Sequence, residues 1–134
     1  VFGAFYQSGQ SCISVQRILV VEDQEDNRRI VRDLLSANGY TLVEAADGTL
    51  GLAAAEREKP DLILMDIQLP GLDGYEVTRR IKANPALKHI PVIAVTSYAL
   101  SGDDQKAFAA GCDGYVTKPF SPRQLLAKIR EYVG

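Results

Sequence analysis

Five short apolar runs alternate with five longer segments of helical periodicity, and this alternation restricts the fold more than any other feature of the chain. The runs are rich in β-branched residues and cover 17–21, 41–45, 61–65, 91–96 and 114–117. The first, third and fourth runs are almost continuously apolar, as expected of strands that are covered on both faces of a parallel sheet. The second and fifth are more polar, which suits the edges of that sheet. The pattern predicts an α/β domain, a doubly wound (βα)5 parallel sheet of five strands with helices on both faces.

Helix start and stop signals occupy the intervals between the runs. The predicted first helix, over 27–37, has one apolar face made of Ile30, Val31, Leu34 and Leu35, and it ends at Asn38-Gly39. The other four helices begin at side chains that can cap a helix N-terminus, namely Asp47, Asp73, Ser101 and Ser121. These signals place a helix after every predicted strand.

Length and composition indicate one globular domain. The chain has 134 residues, of which 46 % are hydrophobic and 24 % charged, and residues 1–16 carry no charge. We therefore predict an N-terminal extension over 1–16 and a domain over 17–134. A net charge of −2 argues against direct binding to nucleic acid or an anionic membrane. Neither a bilayer-spanning run nor a signal peptide is visible, so a cytoplasmic location is expected. Cys12 and Cys112 match no metal-ligand spacing and are interpreted as small apolar side chains.

Polar side chains follow the strands at the edge of the sheet where the carboxyl ends of parallel strands meet. They are Glu22, Asp23, Asp66, Thr96, Ser97 and Lys118. Three converging carboxylates repel one another unless a cation is present, and Mg2+ prefers oxygen ligands. The sequence therefore predicts a site for Mg2+ or Mn2+ formed by the three carboxylates and the backbone carbonyl of Gln68. The alternative is that Glu22-Asp23 only caps the first helix.

Asp66 is also a candidate phosphoryl acceptor. It follows four consecutive apolar residues at the point where a strand leaves the core, and Pro70-Gly71 then turns the chain away. A carboxylate can attack phosphorus to give an aspartyl phosphate, and the transfer needs mainly positioning and neutralisation of charge. We predict that the phosphoryl oxygens are contacted by the cation, by Lys118, and by Thr96 Oγ together with nearby backbone N–H groups and Ser97.

The sequence closely resembles the receiver domains of two-component response regulators. The matching stretches are 18–23, 61–66, 69–74, 91–96 and 114–119. The resemblance implies a flavodoxin-like strand order of 2-1-3-4-5. It also implies that Asp66 accepts phosphate from a sensor histidine kinase or a histidine phosphotransfer protein, with Glu22 and Asp23 as the acidic metal pair. Lys118 contacts the phosphate by the same match, and its bond to Pro119 is expected to be cis.

The resemblance further implies a phosphorylation-dependent switch. Thr96 supplies the switch hydroxyl and moves inward when Asp66 is phosphorylated, and Tyr115 is the aromatic that rotates into the vacated space. The face formed by the fourth helix, fifth strand and fifth helix then changes shape and binds a downstream protein partner or a second copy of the chain. Gln68 and Tyr98 are expected to tune the lifetime of the aspartyl phosphate. The chain is thus expected to be a signalling protein, not an enzyme, although it catalyses its own phosphorylation and dephosphorylation.

Four other interpretations compete with this one. A haloacid-dehalogenase-like phosphatase requires a second aspartate two residues after the nucleophile, where this chain has Gln68. A nucleotide- or flavin-binding domain is disfavoured because the turn after the first strand is acidic and no phosphate-binding loop is present. A pseudo-receiver that only docks partners would lack part of the acidic site or the lysine. A receiver module cut from a hybrid histidine kinase or a multidomain regulator remains an alternative to a stand-alone regulator.

Overall fold

The computed structural model describes residues 16–67, 73–96, 103–117 and 121–133. Within these ranges five strands and five helices alternate. They are β1 (Arg17–Val21), α1 (Glu25–Ala37), β2 (Thr41–Ala45), α2 (Gly48–Glu58), β3 (Leu62–Asp66), α3 (Gly74–Ala83), β4 (Val92–Thr96), α4 (Asp103–Ala110), β5 (Gly114–Thr117) and α5 (Pro122–Val133). None of the described helices combines the length and apolar character that crossing a bilayer requires.

The strands form one parallel sheet in the order β2-β1-β3-β4-β5. The predicted (βα)5 architecture and strand order are therefore confirmed, as is the prediction that the second and fifth strands lie at the edges. Each face of the sheet carries its own hydrophobic cluster. One cluster joins the sheet to α2, α3 and α4, and the other joins it to α1 and α5. Because both faces are covered, the central strands β1, β3 and β4 are buried almost throughout.

Several boundaries differ by one or two residues from the sequence-based prediction, among them the start of β4, which is Val92 and not residue 91. β3 lies one residue later than the predicted run, so Asp66 is the last residue of the strand and faces Val95 of β4. The ladder extends this far because the N–H of Ile67 donates to the carbonyl of Val95 at 3.0 Å. α1 begins two residues earlier than predicted, and its Ile30 is 59 % exposed. Ile30 precedes the half-buried Leu34 by one helical turn and lies just outside the face of α1 that packs on the sheet. Its predicted place on that face is therefore wrong.

Three of the four predicted helix caps lie in the described part of the chain, and each forms a hydrogen bond. Asp47 Oδ1 accepts from the N–H of Leu50 at 2.8 Å, and Asp73 Oδ1 accepts from the N–H of Glu76 at 2.9 Å. Ser121 Oγ accepts from the N–H of Gln124 at 3.1 Å, and the side chain of Gln124 accepts from the N–H of Ser121 at 2.9 Å. A cap of this kind contributes about 1 kcal/mol. Ser101 lies outside the described residues.

Cys112 is a buried thiol, as expected of a small apolar side chain. Its Sγ lies 3.8 Å from Thr78 Oγ1, and burial raises the pKa of the thiol to about 11. The thiol is therefore protonated at neutral pH. Cys12 lies outside the described residues.

Asp113, immediately before β5, accepts hydrogen bonds from both β4 and α3. Its Oδ2 accepts from the N–H of Val92 at 3.0 Å and from Lys82 Nζ at 2.8 Å. We expect Asp113→Ala to lower the free energy of unfolding by about 1–3 kcal/mol, because two donors lose a charged acceptor at once. Urea denaturation measures the change. Glu131→Ala is the matched control, because that carboxylate is exposed and its ion pair with Lys128 on α5 spans 3.5 Å. A loss of stability no larger than that of the control would contradict the role assigned to Asp113.

Candidate functional site

Three carboxylates meet at the edge of the sheet where the strands end. β1 and β3 are neighbours with Val21 opposite Met65, so the residues that follow Val21 lie beside Asp66. Glu22, Asp23 and Asp66 each place a carboxylate oxygen within 4.8 Å of the others. Glu22 and Asp66 are both only 5 % exposed, whereas Asp23 is more open to solvent. The carboxylates that the sequence predicted to converge do lie together.

The peptide groups around Glu22 are tightly held. Its N–H donates to the carbonyl of Ala45 on β2 at 3.0 Å. Its carboxylate accepts from the N–H of Gln24 at 3.3 Å and from Asn27 Nδ2 at 3.4 Å. The N-cap position of α1 is occupied by Gln24, not by either acid. Glu22 thus contacts the N-cap residue without being the cap itself, and the convergence of both acids with Asp66 is a feature that helix capping alone does not require.

Asp66 is fixed by a close approach between β3 and α3. The N–H of Gly74, the first residue of α3, donates to the carbonyl of Ile67 at 3.2 Å. A Cβ atom on Gly74 would lie 2.4 Å from the carbonyl oxygen of Asp66 and 2.8 Å from the Cα of Ile67. Only glycine permits this contact without displacement of the backbone. Gly74 lies within the stretch 69–74 that matches receiver domains, but the sequence analysis did not predict this close contact. A glycine directly after the N-cap residue Asp73 is the signal in the sequence that could have indicated it.

Thr96 and Tyr115 lie on the next two strands of the sheet. Thr96 ends β4, one residue after the Val95 that faces Asp66, and it is 2 % exposed. Tyr115 lies on β5 opposite Ala94, is half-buried, and packs against the cluster that joins the sheet to α2, α3 and α4. Five other predicted site residues lie outside the described residues, so the contacts expected of them stay predictions. They are Gln68, Ser97, Tyr98, Lys118 and Pro119.

The donor set suits a hard divalent cation. All three groups are carboxylates, and oxygen ligands of this type favour Mg2+ and Mn2+ over softer metals. Two of the carboxylates are buried close together, and a cation offsets the repulsion that ionised groups at this spacing experience. Glu22, Asp23 and Asp66 are the residues that would hold it.

Comparison with known proteins decides the family. The family model for the response regulator receiver domain matches residues 18–130, which includes nearly all of the five strands and five helices. The chain belongs to this family. The sequence resemblance described above is thereby confirmed.

This receiver domain has relatives in several contexts. It is 44 % identical over 117 residues to the polar-differentiation response regulator DivK of Brucella anthropi, across 87 % of this chain and 95 % of DivK. It is 39 % identical to the receiver domain of the sensor histidine kinase PA1611 of Pseudomonas aeruginosa PAO1, whose crystal structure has a magnesium ion in the active site cleft. That match has a TM-score of 0.84 and covers 90 % of this chain and 99 % of the other. A CheY-like receiver protein of Methanospirillum hungatei JF-1 is 36 % identical, with a TM-score of 0.82 and coverage of 88 % and 93 %.

Proposed function

We propose that this receiver domain is a phosphorylation-dependent switch. Asp66 accepts a phosphoryl group from a sensor histidine kinase or a histidine phosphotransfer protein in the cytoplasm. The cation, Mg2+ or Mn2+, is bound by Glu22, Asp23 and Asp66, with the carbonyl of Gln68 as a further ligand. The observation that carries the proposal is the convergence of three carboxylate oxygens within 4.8 Å, two of them on buried residues, at the carboxyl edge of a doubly wound sheet. The magnesium ion in the cleft of the Pseudomonas aeruginosa receiver supports the choice of cation.

In the proposed transfer, an oxygen of the Asp66 carboxylate attacks the phosphorus of the donor phosphohistidine. The new O–P bond forms as the P–N bond breaks, and the imidazole nitrogen leaves with the electron pair of that bond. A bound cation supplies neutralisation of the charge on the phosphoryl oxygens. The remaining oxygens are contacted by Lys118, Thr96 and Ser97. Backbone hydrogen bonds of the next residue, Ile67, to β4 and α3 keep the Asp66 carboxylate in place for the attack.

The proposed readout passes from Thr96 to Tyr115. A phosphoryl group on Asp66 brings charge and strong acceptor oxygens to the end of β3, next to the strand that ends at Thr96. Thr96 donates to it, and Tyr115 changes its packing against the core. The face formed by α4, β5 and α5 then favours a downstream partner or a second copy of the chain, and phosphorylation shifts the balance of the two conformations. Gln68 and Tyr98 set how quickly the aspartyl phosphate is hydrolysed.

The setting in which the switch works has two candidate forms. DivK is named as a response regulator, and this chain covers nearly all of its length. The Pseudomonas aeruginosa relative is the receiver domain of a sensor histidine kinase. The two candidates are therefore a stand-alone regulator and the receiver module of a larger kinase or regulator. In both forms the chemistry at Asp66 is the same.

Incubation with a small phosphodonor such as phosphoramidate tests the proposal. With Mg2+ present, we expect intact-mass spectrometry to show a gain of one phosphoryl group per chain, and hydroxylamine should remove it because an aspartyl phosphate is an acyl phosphate. Addition of EDTA should suppress the gain, because the phosphoryl charge is then not neutralised. No gain with Mg2+, or the same gain with EDTA, would refute the proposed function.

A further inference from the structure

Arg28 reaches from α1 to the turn that carries the acidic pair. Its Nη1 donates to the backbone carbonyl of Glu22 at 2.7 Å, and the side chain is only 16 % exposed. That carbonyl belongs to the peptide group that joins Glu22 to Asp23. A donor that fixes this oxygen therefore fixes the peptide plane from which both carboxylates extend.

Arg28 is itself held by an ion-pair network between α1 and β2, made of Glu25, Arg28, Arg32 and Glu44. Each acid contacts both arginines. Glu25 lies 3.0 Å from Arg28 and 3.0 Å from Arg32, and Glu44 lies 3.5 Å from Arg28 and 3.0 Å from Arg32. The guanidinium of Arg28 thus has charged partners on two sides besides the carbonyl that it contacts.

The backbone N–H and the backbone carbonyl of Glu22 are both connected to β2. The N–H is connected through Ala45 directly, and the carbonyl through Arg28 and Glu44. Its N–H donates to the carbonyl of Ala45, and its carbonyl accepts from Arg28, whose guanidinium is paired with Glu44. Edge strand, helix and acidic turn are connected in this way. If the carbonyl contact were lost, the bond to Ala45 would still hold the preceding Val21–Glu22 peptide, but the Glu22–Asp23 peptide would lose its bond to Arg28.

We infer that Arg28 is a positioning residue for the cation site, in that it orients the Glu22–Asp23 peptide so that the two carboxylates converge with that of Asp66. The inference rests on the proposed function, because it assumes that these carboxylates bind Mg2+. Arg28 contacts the chain of the ligand residues and not the cation. Groups that orient metal ligands in this way typically change metal affinity by about 10- to 100-fold when they are removed.

The sign of the effect separates positioning from simple electrostatics. Arg28 is a positive charge beside an acidic site, so its removal should strengthen Mg2+ binding if charge alone mattered. Loss of positioning should weaken it. Arg28→Met keeps most of the apolar stem and removes the guanidinium. The matched control is Arg29→Met, because Arg29 is the next residue of α1, is 61 % exposed and pairs with Asp26 at 3.2 Å.

Mg2+ titration followed by amide chemical shifts tests the inference without any phosphorylation step. We expect Arg28→Met to weaken Mg2+ binding by about tenfold, and Arg29→Met to bind as the wild type does or slightly more tightly. Arg28→Lys retains the charge but not the planar group, so its Mg2+ affinity should fall between those of the wild type and Arg28→Met. If Arg28→Met does not fold, Arg28→Lys is the variant to be measured. Folded Arg28 variants with wild-type or tighter Mg2+ affinity would overturn the inference about Arg28 but not the proposed function. A wild-type protein that does not bind Mg2+ would overturn both the inference and the proposed function.

Discussion

Asp66→Asn should abolish phosphoryl uptake while leaving the fold intact. Asparagine has the shape of aspartate but lacks the anionic oxygen that attacks phosphorus, so we expect the rate to fall by several orders of magnitude, as when an enzyme loses its nucleophile. The substitution also removes one of three closely spaced carboxylates. The metal-free variant should therefore be at least as stable as the wild type, because a source of repulsion at the end of β3 is gone.

Intact-mass spectrometry after incubation with phosphoramidate and Mg2+ measures this effect. Asp61→Asn is a suitable control, because Asp61 immediately precedes β3 and so lies at the amino-terminal ends of the strands, away from the site. There its Oδ2 accepts from the N–H of Arg17 at 2.8 Å. That variant should take up phosphate at the wild-type rate. If Asp66→Asn gained phosphate as fast as the wild type, another residue would have to be the acceptor.

Gly74→Ala should be the most destabilising single-methyl addition at the site. The new Cβ would lie 2.4 Å from the carbonyl oxygen of Asp66 and 2.8 Å from the Cα of Ile67. Both neighbours are backbone atoms, so no side chain can move aside, and α3 must separate from the end of β3. We expect the free energy of unfolding to fall by about 3 kcal/mol. The folded fraction should also accept phosphate more slowly, because the displacement acts directly on the backbone of Asp66.

Gly39→Ala provides the comparison for this variant. Gly39 has a φ of +86°, and in the described part of the chain no atom beyond its two sequence neighbours lies within 4 Å of where the new methyl group would be. Alanine there meets backbone strain without a steric contact. The expected cost is about 1 kcal/mol, with normal phosphoryl uptake. Urea denaturation and the phosphorylation assay together separate the two cases. Equal stability of the two variants would mean that α3 and β3 do not approach each other this closely in solution.

The parts of the fold that were predicted correctly depend on local signals. β-branched runs marked the strands, and the capping side chains of Asp47, Asp73 and Ser121 marked helix starts within a residue or so. Parallel alignment then brought Glu22 and Asp66 to the same edge of the sheet, since all parallel strands end on the same side. The strand order itself followed from the family resemblance and not from periodicity.

The parts that were missed depend on contacts between distant elements. Asp66 belongs to β3 because β4 extends the ladder to it, and nothing in residues 61–66 specifies where β4 stops. The roles of Arg28 and Gly74 depend on how α1 and α3 approach the strand ends. An arginine on a helix can equally well extend into solvent, as Arg29 does. Sequence spacing alone could not distinguish these two neighbouring arginines.

The position of Glu44 on an edge strand has a consequence for self-association. The outer side of an edge strand is a template on which another chain can add by backbone pairing, and this is a common route to aggregation. β2 has only five residues, and its Glu44 is engaged by two arginines of α1. A second chain aligned along β2 would have to strip water from this cluster of charges and compete with its ion pairs. We therefore expect the contacts that anchor the acidic turn to make β2 a poor template for fibril growth as well.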